Sequence, residues 1–396
     1  MRHASIVPLI GGETLGAMNA YETPPEYFLS YSPFKSNDQH IVNHFDNDIP
    51  YILLDEGGKA PSKVDIIHTV CPCAGLSQLS HGYGDHNENN KWMLQTANYV
   101  LEELKPKVFW GENAPGLGGT IGKNIRKQLQ EIGKKNGYTM SIFMTKSQLH
   151  GLSQVRTRSF YFFWQDERVP IFNYYFREYE KIEDTLLKVK SNTFMEPINK
   201  KTPSKDDPYY KFVLEYVHNG MTHRQFFEQL EPLEARGCDM LGYIEKLQYN
   251  YKTVGEWMAE NNYPKEVDKC LYRYEKLKAG GQLMRRTTIV PKDRIGAFVG
   301  HYPTSLTHPH EDRYITYREA MSIMGLPENF ELLDPEKNTN HICQNVPVQT
   351  ATDMATEVKK YLNNELEMVD TDYVIQYNQS RKYEANIRGS NLESFF

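Results

Sequence analysis

The chain has 396 residues, 39% of them hydrophobic and 24% charged, with a formal net charge of −6. That length exceeds one compact core of the common size and predicts two domains. No apolar run approaches the roughly 18 residues of a membrane span, and the apolar patch in the opening "MRHASIVPLIGG" is too short for a signal peptide.

Five cysteines without framework spacing fit a reducing compartment, so a cytoplasmic protein is expected. The weak acidic balance means that contact with a polyanion must come from a local basic patch. From Ser5 to Trp164, short apolar runs alternate with amphipathic stretches. "SIVPLI", "VDIIHTV", "KVFWGEN" and "RSFYFFW" read as buried strands, and Lys91–Leu104 and Gly122–Lys135 as helices, the first closed by Lys105 and Pro106. This rhythm predicts a doubly wound α/β fold with a mostly parallel sheet covered on both faces. Beyond residue 170 the rhythm breaks. "NYYFREYEKIEDTLLKVKSNTF" and "GMTHRQFFEQLEPLEARGCDMLGYIEKLQYN" are mainly helical by propensity, and "TTIVPKDRIGAFVG" reads as a hairpin or strand pair. Helices return in "TYREAMSIMGL" and from Thr350 to Asn363, and the polar segment from Asp370 reads as a loosely docked extension.

The stretch "VCPCAGLS" places Cys73 just past an apolar strand, where reactive groups collect in open parallel sheets. Three readings are open on this stretch alone. The two cysteines are structural and buried, or Cys73 is a nucleophilic thiolate, or Cys71, Cys73, His81 and His86 hold zinc. The spacing of that last set departs from closed zinc sites, and no metal is expected.

Several ordered blocks decide among these readings. "CPCAGLS", "KPKVFWGENAPGL", "HGLSQVRTRSFYF", "RYITYREAMSIMGLPENF" and "QNVPVQTA" together resemble the cytosine-C5 DNA methyltransferase family. The resemblance covers roughly residues 5–164 and 313–360. It implies a nucleophile at Cys73, the Glu-Asn pair at Glu112 and Asn113, the Gln-x-Arg-x-Arg block at Gln154, Arg156 and Arg158, and a cofactor-facing asparagine at Asn345. It also implies the division of the chain: a catalytic and cofactor-binding domain over 1–168, a target recognition domain over 169–310, returning helices over 311–365 and a polar tail over 366–396.

The chemistry wants these residue types. A thiolate adding at cytosine carbon 6 makes carbon 5 nucleophilic. Glu112 would hydrogen-bond the ring N3 and exocyclic amine, and Arg158 the O2, where charge develops. Arg156 would support the pocket or bind a phosphate. The target atom is inaccessible inside a duplex, so base flipping is implied. The expected partner is double-stranded DNA, bound by a monomer through Ser77 and Gln78 of the loop after Cys73 and through the basic run Lys265–Arg294, with Arg285 and Arg286 in it. A solvated helix face explains part of that run equally well.

The cofactor implied is S-adenosylmethionine, held by Val7, Ile10, Gly11, Gly12, Asp55, Pro72, Met93 and Asn345. Three departures mark that half. Leu9 stands where the family usually has its first glycine, Ser30, Tyr31 and Ser32 stand where it offers an acidic residue to the ribose, and Gln344 stands where its last block begins with glycine. The readings are an ordinary but divergent site, a site for a modified S-adenosylmethionine, or a DNA-binding or decoy protein with a vestigial site. Retention of Cys73, Glu112 and Arg158 together argues against the last. RNA is the alternative substrate. A restriction–modification or phage setting is expected.

Overall fold

The computed structural model describes residues 1–72, 74–77, 84, 86–190, 194–198, 251–279, 288–300, 302–311, 313–378 and 383–385. The expected sites Cys73, Gln78, Arg285 and Arg286, and the helical reading of residues 220–250, lie outside the described residues. The chain divides into two compact units: residues 1–181 with 294–299 and 321–396, and residues 182–293 with 300–320.

The first unit carries the sheet. Its elements run β1 (His3–Ile6), α1 (Gly12–Tyr21), β2 (Phe28–Ser30), α2 (Lys35–His44), β3 (Tyr51–Leu53), β4 (Ile66–Val70), α3 (Asn90–Tyr99), β5 (Val108–Asn113), α4 (Lys123–Lys135), β6 (Thr139–Lys146), β7 (Gln154–Val155) and β8 (Thr157–Trp164). Later come the helices Pro335–Gln344 and Val348–Leu362 and the strands Tyr373–Tyr377 and Tyr383–Ala385. The sheet order is Tyr383–Ala385, Tyr373–Tyr377, β6, β8, β5, β4, β1, β2, β3. From β5 to β3 all pairings are parallel, and β8 is antiparallel to both β5 and β6. The doubly wound, mostly parallel sheet expected from the sequence is therefore present. The chain leaves β1 toward β2 on one side and returns to β4 on the other. This reversal opens a crevice beyond the carboxyl ends of β1 and β4, where ligands bind in such sheets.

The near-continuous apolar runs become strands because both sheet faces are covered. Phe109 opposes Phe163 and Trp110 opposes Phe162 in the β5–β8 register, and their rings stack at 5.7 and 6.0 Å. Helix α4 lays Ile125, Leu129 and Gly133 into the core and keeps its lysines outside.

Four expectations change. The first strand ends at Ile6, because Val7 and Leu9 adopt left-handed φ values of 53° and 50°. Thr288–Ile289 and Ile295–Gly296 form no hairpin: the first pairs in parallel with Leu306–Thr307 and the second with Gln154–Val155. Residues 173–181 form no helix, since side chains hold that segment extended. The Asn173 and Tyr175 amides donate to Glu357 and Asn378 at 2.9 and 2.8 Å, and the helix starts at Ile182. The segment after Asp370 is not loosely docked either. Tyr373–Tyr377 pairs in parallel with β6 and buries Val374 and Ile375.

In the second unit, Thr316 and Glu319 form a reciprocal capping box: the Thr316 amide donates to Glu319 at 2.8 Å and the Glu319 amide to Thr316 Oγ1 at 3.1 Å. Arg313 clamps the same carboxylate at 2.8 and 2.9 Å.

The returning helix Val348–Leu362 is fastened within the first unit by a buried cross-brace. Thr145 Oγ1 lies 2.6 Å from His150 Nε2, His150 Nδ1 lies 2.7 Å from Asp353, and Arg177 takes the other Asp353 oxygen at 2.8 Å. The hydroxyl, imidazole and carboxylate follow the order of a hydrolase triad, but all three are buried, so the set braces rather than reacts. Asp353→Ala strips two partners at once and should lower the unfolding free energy by about 3–5 kcal/mol, read from urea denaturation followed by far-ultraviolet circular dichroism.

Candidate active site and cofactor crevice

The candidate catalytic side of the crevice is built from the ends of β4, β5 and β8. Val70 pairs with Glu112, so the Cys-Pro-Cys turn that follows β4 starts beside the glutamate. Asn113 Nδ2 reaches the Cys71 carbonyl at 3.5 Å and the Met93 sulfur at 3.8 Å, which ties the turn to β5 and α3. Cys71 itself is buried next to Thr69 Oγ1, 3.4 Å away, and burial pushes its thiol up to about 11. It is the inert member of the pair. Pro72 and Ser77, on either side of Cys73, are half-buried.

Glu112 is buried and faces Arg158, whose Nε lies 2.5 Å from Oε1. The register explains the meeting: Glu112 opposes Phe160, and Arg158, two residues earlier on β8, projects from the same face. Burial pushes the Glu112 carboxyl up, while Arg158 and Arg156 pull it down. Arg156 is fully enclosed. Its terminal nitrogens donate to the Phe298 and Cys343 carbonyls at 2.7 and 2.8 Å, so its fork grips backbone. Gln154 is buried against the Met324 sulfur.

The cofactor side is the turn from β1 into α1. Val7 and Ile10 are buried, and Gly11 takes φ 96° at the helix N-cap. The Gly12 amide donates to Asn345 Oδ1 at 2.9 Å, and a Cβ on Gly12 would lie 2.1 Å from the Val346 carbonyl, so only glycine fits. Asn345 Nδ2 is buried with no protein acceptor. Asp55 accepts the Ser32 amide on both oxygens, at 2.9 and 3.0 Å. Tyr31, Phe34 and Trp92 meet as an aromatic wall, with ring centroids 5.0 Å apart for each contact to Trp92. An unfilled buried amide donor, aromatic faces and a carboxylate are a donor set that fits a nucleoside carrying a charged amino-acid end.

Each departure noted in the sequence has a structural counterpart. Leu9 takes the left-handed conformation that favours glycine, and its amide donates to Asp38 at 2.9 Å. Gln344 accepts from Asn37 Nδ2 at 2.7 Å. The carboxylate missing after β2 stands on the far side of β3, as Asp55. Asp38 escaped the sequence reading, because an acid in the first turn of a helix reads as a solvated dipole partner.

These positions coincide with a family. Residues 31–360 match the C-5 cytosine-specific DNA methylases. The chain belongs to that family. The match begins at Tyr31, after the β1–α1 turn in which Leu9 departs. Among relatives, the type II methyltransferase M.Bpa9945I of Bacillus paralicheniformis is 22% identical over 364 residues, 84% of this chain and 76% of its own. M.AgeI of Thalassovita gelatinovora is 25% identical over 147 residues, 36% of this chain, and the match spans a third of that relative's length (33%). Two solved structures share the fold: an E. coli prophage protein described as a DNA modification methyltransferase (TM-score 0.55, 16% identity, 92% of this chain and 99% of that one) and the Entamoeba histolytica methyltransferase EhMeth (0.55, 13%, 92% and 98%). The methyl donor of such a methyltransferase family is S-adenosylmethionine. No described helix is long and apolar enough to cross a membrane, and the described residues hold no group of three metal-ligating side chains.

Burial pushes the Asp38 carboxyl up to about 7 despite its bonds from Leu9 and from the Tyr51 hydroxyl. A raised folded value means that the stability linked to Asp38 is complete below its unfolded pKa near 3.8 and is lost as pH rises through about 7. Asp38→Asn should remove this decline, on the order of a few kcal/mol, and urea midpoints measured at acid and at mildly alkaline pH will show it.

Proposed function

We propose that the protein is a DNA cytosine-C5 methyltransferase acting, as a cytoplasmic monomer, on a flipped cytosine of double-stranded DNA through a covalent Cys73 adduct. The observation that carries this is the Glu112–Arg158 pair at the mouth of the Cys-Pro-Cys turn. S-adenosylmethionine supplies the electrophilic methyl group. Gly12 and Asn345 would hold its amino-acid end, Tyr31, Phe34 and Trp92 its base, and Asp55 with the Ser32 backbone its ribose.

The residues of the chain do the rest. The Cys73 thiolate forms a bond to carbon 6 and sends the electron pair of the 5,6 double bond into the ring. Glu112 binds the ring N3 and exocyclic amine, and Arg158, whose Nη1 is steadied by the Thr157 carbonyl at 2.7 Å, binds O2. A buried carboxyl raised by desolvation and lowered by two guanidinium groups is poised to share a proton with N3. After methyl transfer, carbon 5 gives up its proton to water, the C–H electron pair restores the 5,6 double bond, and Cys73 leaves with the carbon–sulfur pair as thiolate. Arg156 supports the pocket from behind by its grip on Cys343 and Phe298. The second unit, with Arg285 and Arg286, would read the DNA sequence, and Ser77 and Gln78 would contact the strand near the flipped base.

The repacking of the cofactor side around α2 supports an ordinary donor bound by a divergent turn. Nucleosides from a host expressing the wild type should contain a cytosine heavier by one methyl group, absent with Cys73→Ser. A different mass increment in the same spectrum would mark a modified S-adenosylmethionine, and modified cytidine in place of deoxycytidine would mark RNA as substrate. Glu112→Gln should lower kcat by about 10²–10⁴-fold while leaving DNA binding in place. A wild-type rate retained in that variant would sink the assignment.

A further inference from the structure

Glu13 follows the glycine pair in the first turn of α1, and its side chain is buried. Among the described residues no cation pairs with either carboxyl oxygen, and the Thr69 backbone amide nearby is the one group that favours the ionised form against burial and the Glu112 charge. A buried carboxylate left so is strongly disfavoured. The polar groups around it come from several elements: His68 and the Thr69 backbone on β4, Cys71 just beyond, Glu112 on β5, Tyr161 on β8, and Tyr21 on α1 itself. The helix Val348–Leu362 brings Ala351 and the Thr352 backbone against Gly16 of α1. The cations Arg156 and Arg158 act on Glu112.

Two histidines show where the proton sits. His3 Nε2 lies 2.9 Å from the Thr23 carbonyl, which only accepts, so Nε2 carries the hydrogen. Burial pushes His3 down to about 4, so the ring is neutral and its Nδ1 is a lone pair. His68 Nε2, 3.1 Å away, therefore donates to it. Burial and the neighbouring His3 also hold His68 well below its ordinary value. A neutral ring with its hydrogen on Nε2 presents a lone pair at Nδ1, and this faces Glu13 Oε1 at 3.6 Å. A carboxylate there would be repelled, whereas a carboxyl O–H is attracted.

We infer that the His68–His3 chain holds Glu13 as a neutral carboxylic acid, and that Glu13 is a positioning residue that keeps a second negative charge away from Glu112. The inference rests on the reading of Glu112 as the group that contacts cytosine. Glu112 pairs with Val70, and His68 is the preceding residue of β4 on the same face. With Glu13 neutral, Arg158 orients Glu112, and the negative charge that develops on the ring during thiolate addition meets no uncompensated anion behind Glu112. Ionising Glu13 would place one there and oppose the addition.

Two measurements on the full chain test this. The first is nuclear magnetic resonance of wild-type protein labelled at histidine nitrogen and glutamate carboxyl carbon. The expected result is a neutral His68 with its hydrogen on Nε2 and a Glu13 carboxyl that titrates above the ordinary carboxylate range. An imidazolium at His68, or Glu13 titrating with the surface acids, overturns the neutral acid. The second is the pH profile of single-turnover methylation. Above the Glu13 titration the wild-type rate should fall about tenfold per pH unit, and Glu13→Gln, which cannot ionise, should lack that fall. A variant that keeps the alkaline fall and loses only thermal stability overturns the positioning role. A wild type that methylates no cytosine sinks the enzymatic reading and the positioning role with it, while the resonance experiment still decides the proton on Glu13 by itself. Should Glu13→Gln fail to fold, a Glu13 titration that does not coincide with the wild-type alkaline fall overturns the positioning role, and one that coincides supports it.

Discussion

The hydrogen bond from the Gly12 amide to Asn345 Oδ1 joins residues 333 positions apart, and the crevice depends on it. The first turn of a helix presents amides with no intrahelical partner. Here α1 receives one acceptor from the far end of the chain, and the approach is so close that only glycine can stand at position 12. Asn345 is placed in turn by Arg156, which grips the Cys343 carbonyl two residues before it. Arg158, two residues after Arg156, holds Glu112. One short segment leading into β8 thus secures both halves of the site, the cofactor side through backbone and the catalytic side through an ion pair.

The departures from the family pattern form one connected adjustment centred on α2. Asn37 and Asp38 are consecutive and buried; the first donates to Gln344 and the second accepts the Leu9 amide. Ile41, a turn later on the same helix, fills the space beside Gly11, where a Cβ would lie 2.5 Å away. Val7 and Leu9 hold left-handed backbone that costs each on the order of 1–3 kcal/mol. Such strain persists only where the surroundings over-determine it, and here the surroundings are α2 and the segment from Gln344 to Val346. Inserting glycine at Leu9 alone would therefore not recreate the family turn, because its neighbours have moved with it.

Much of this was legible in the sequence, for identifiable reasons. The aromatic runs of β5 and β8 announced buried strands because both faces of the sheet are covered, and the ordered blocks located Glu112, Arg158 and Asn345. Asp38 and Glu13 were not legible. A carboxylate on a helix surface and one beneath it have the same one-letter code, and only burial separates them. The extended segment 173–181 was read as helix because its propensities allow one. What holds it open is the set of bonds from Glu357 and Asn378, contacts from almost 200 residues away that no local pattern records. Tyr373–Tyr377 was hidden for the opposite reason, as five residues of strand inside a polar stretch.

That strand has a bearing on how the molecule is made. Tyr373–Tyr377 is hydrogen-bonded to β6, whose partner residues begin at Met140. A ribosome delivers the chain from its amino end, so β6 must wait with an open edge while more than half the protein is synthesised, the whole of the second unit included. Exposed edges invite pairing with other chains, and long-range closure of this kind is slow. The sheet of the first unit is therefore finished late in synthesis, and a chain that stalls before Tyr373 would leave the ribosome with the β6 edge unpaired.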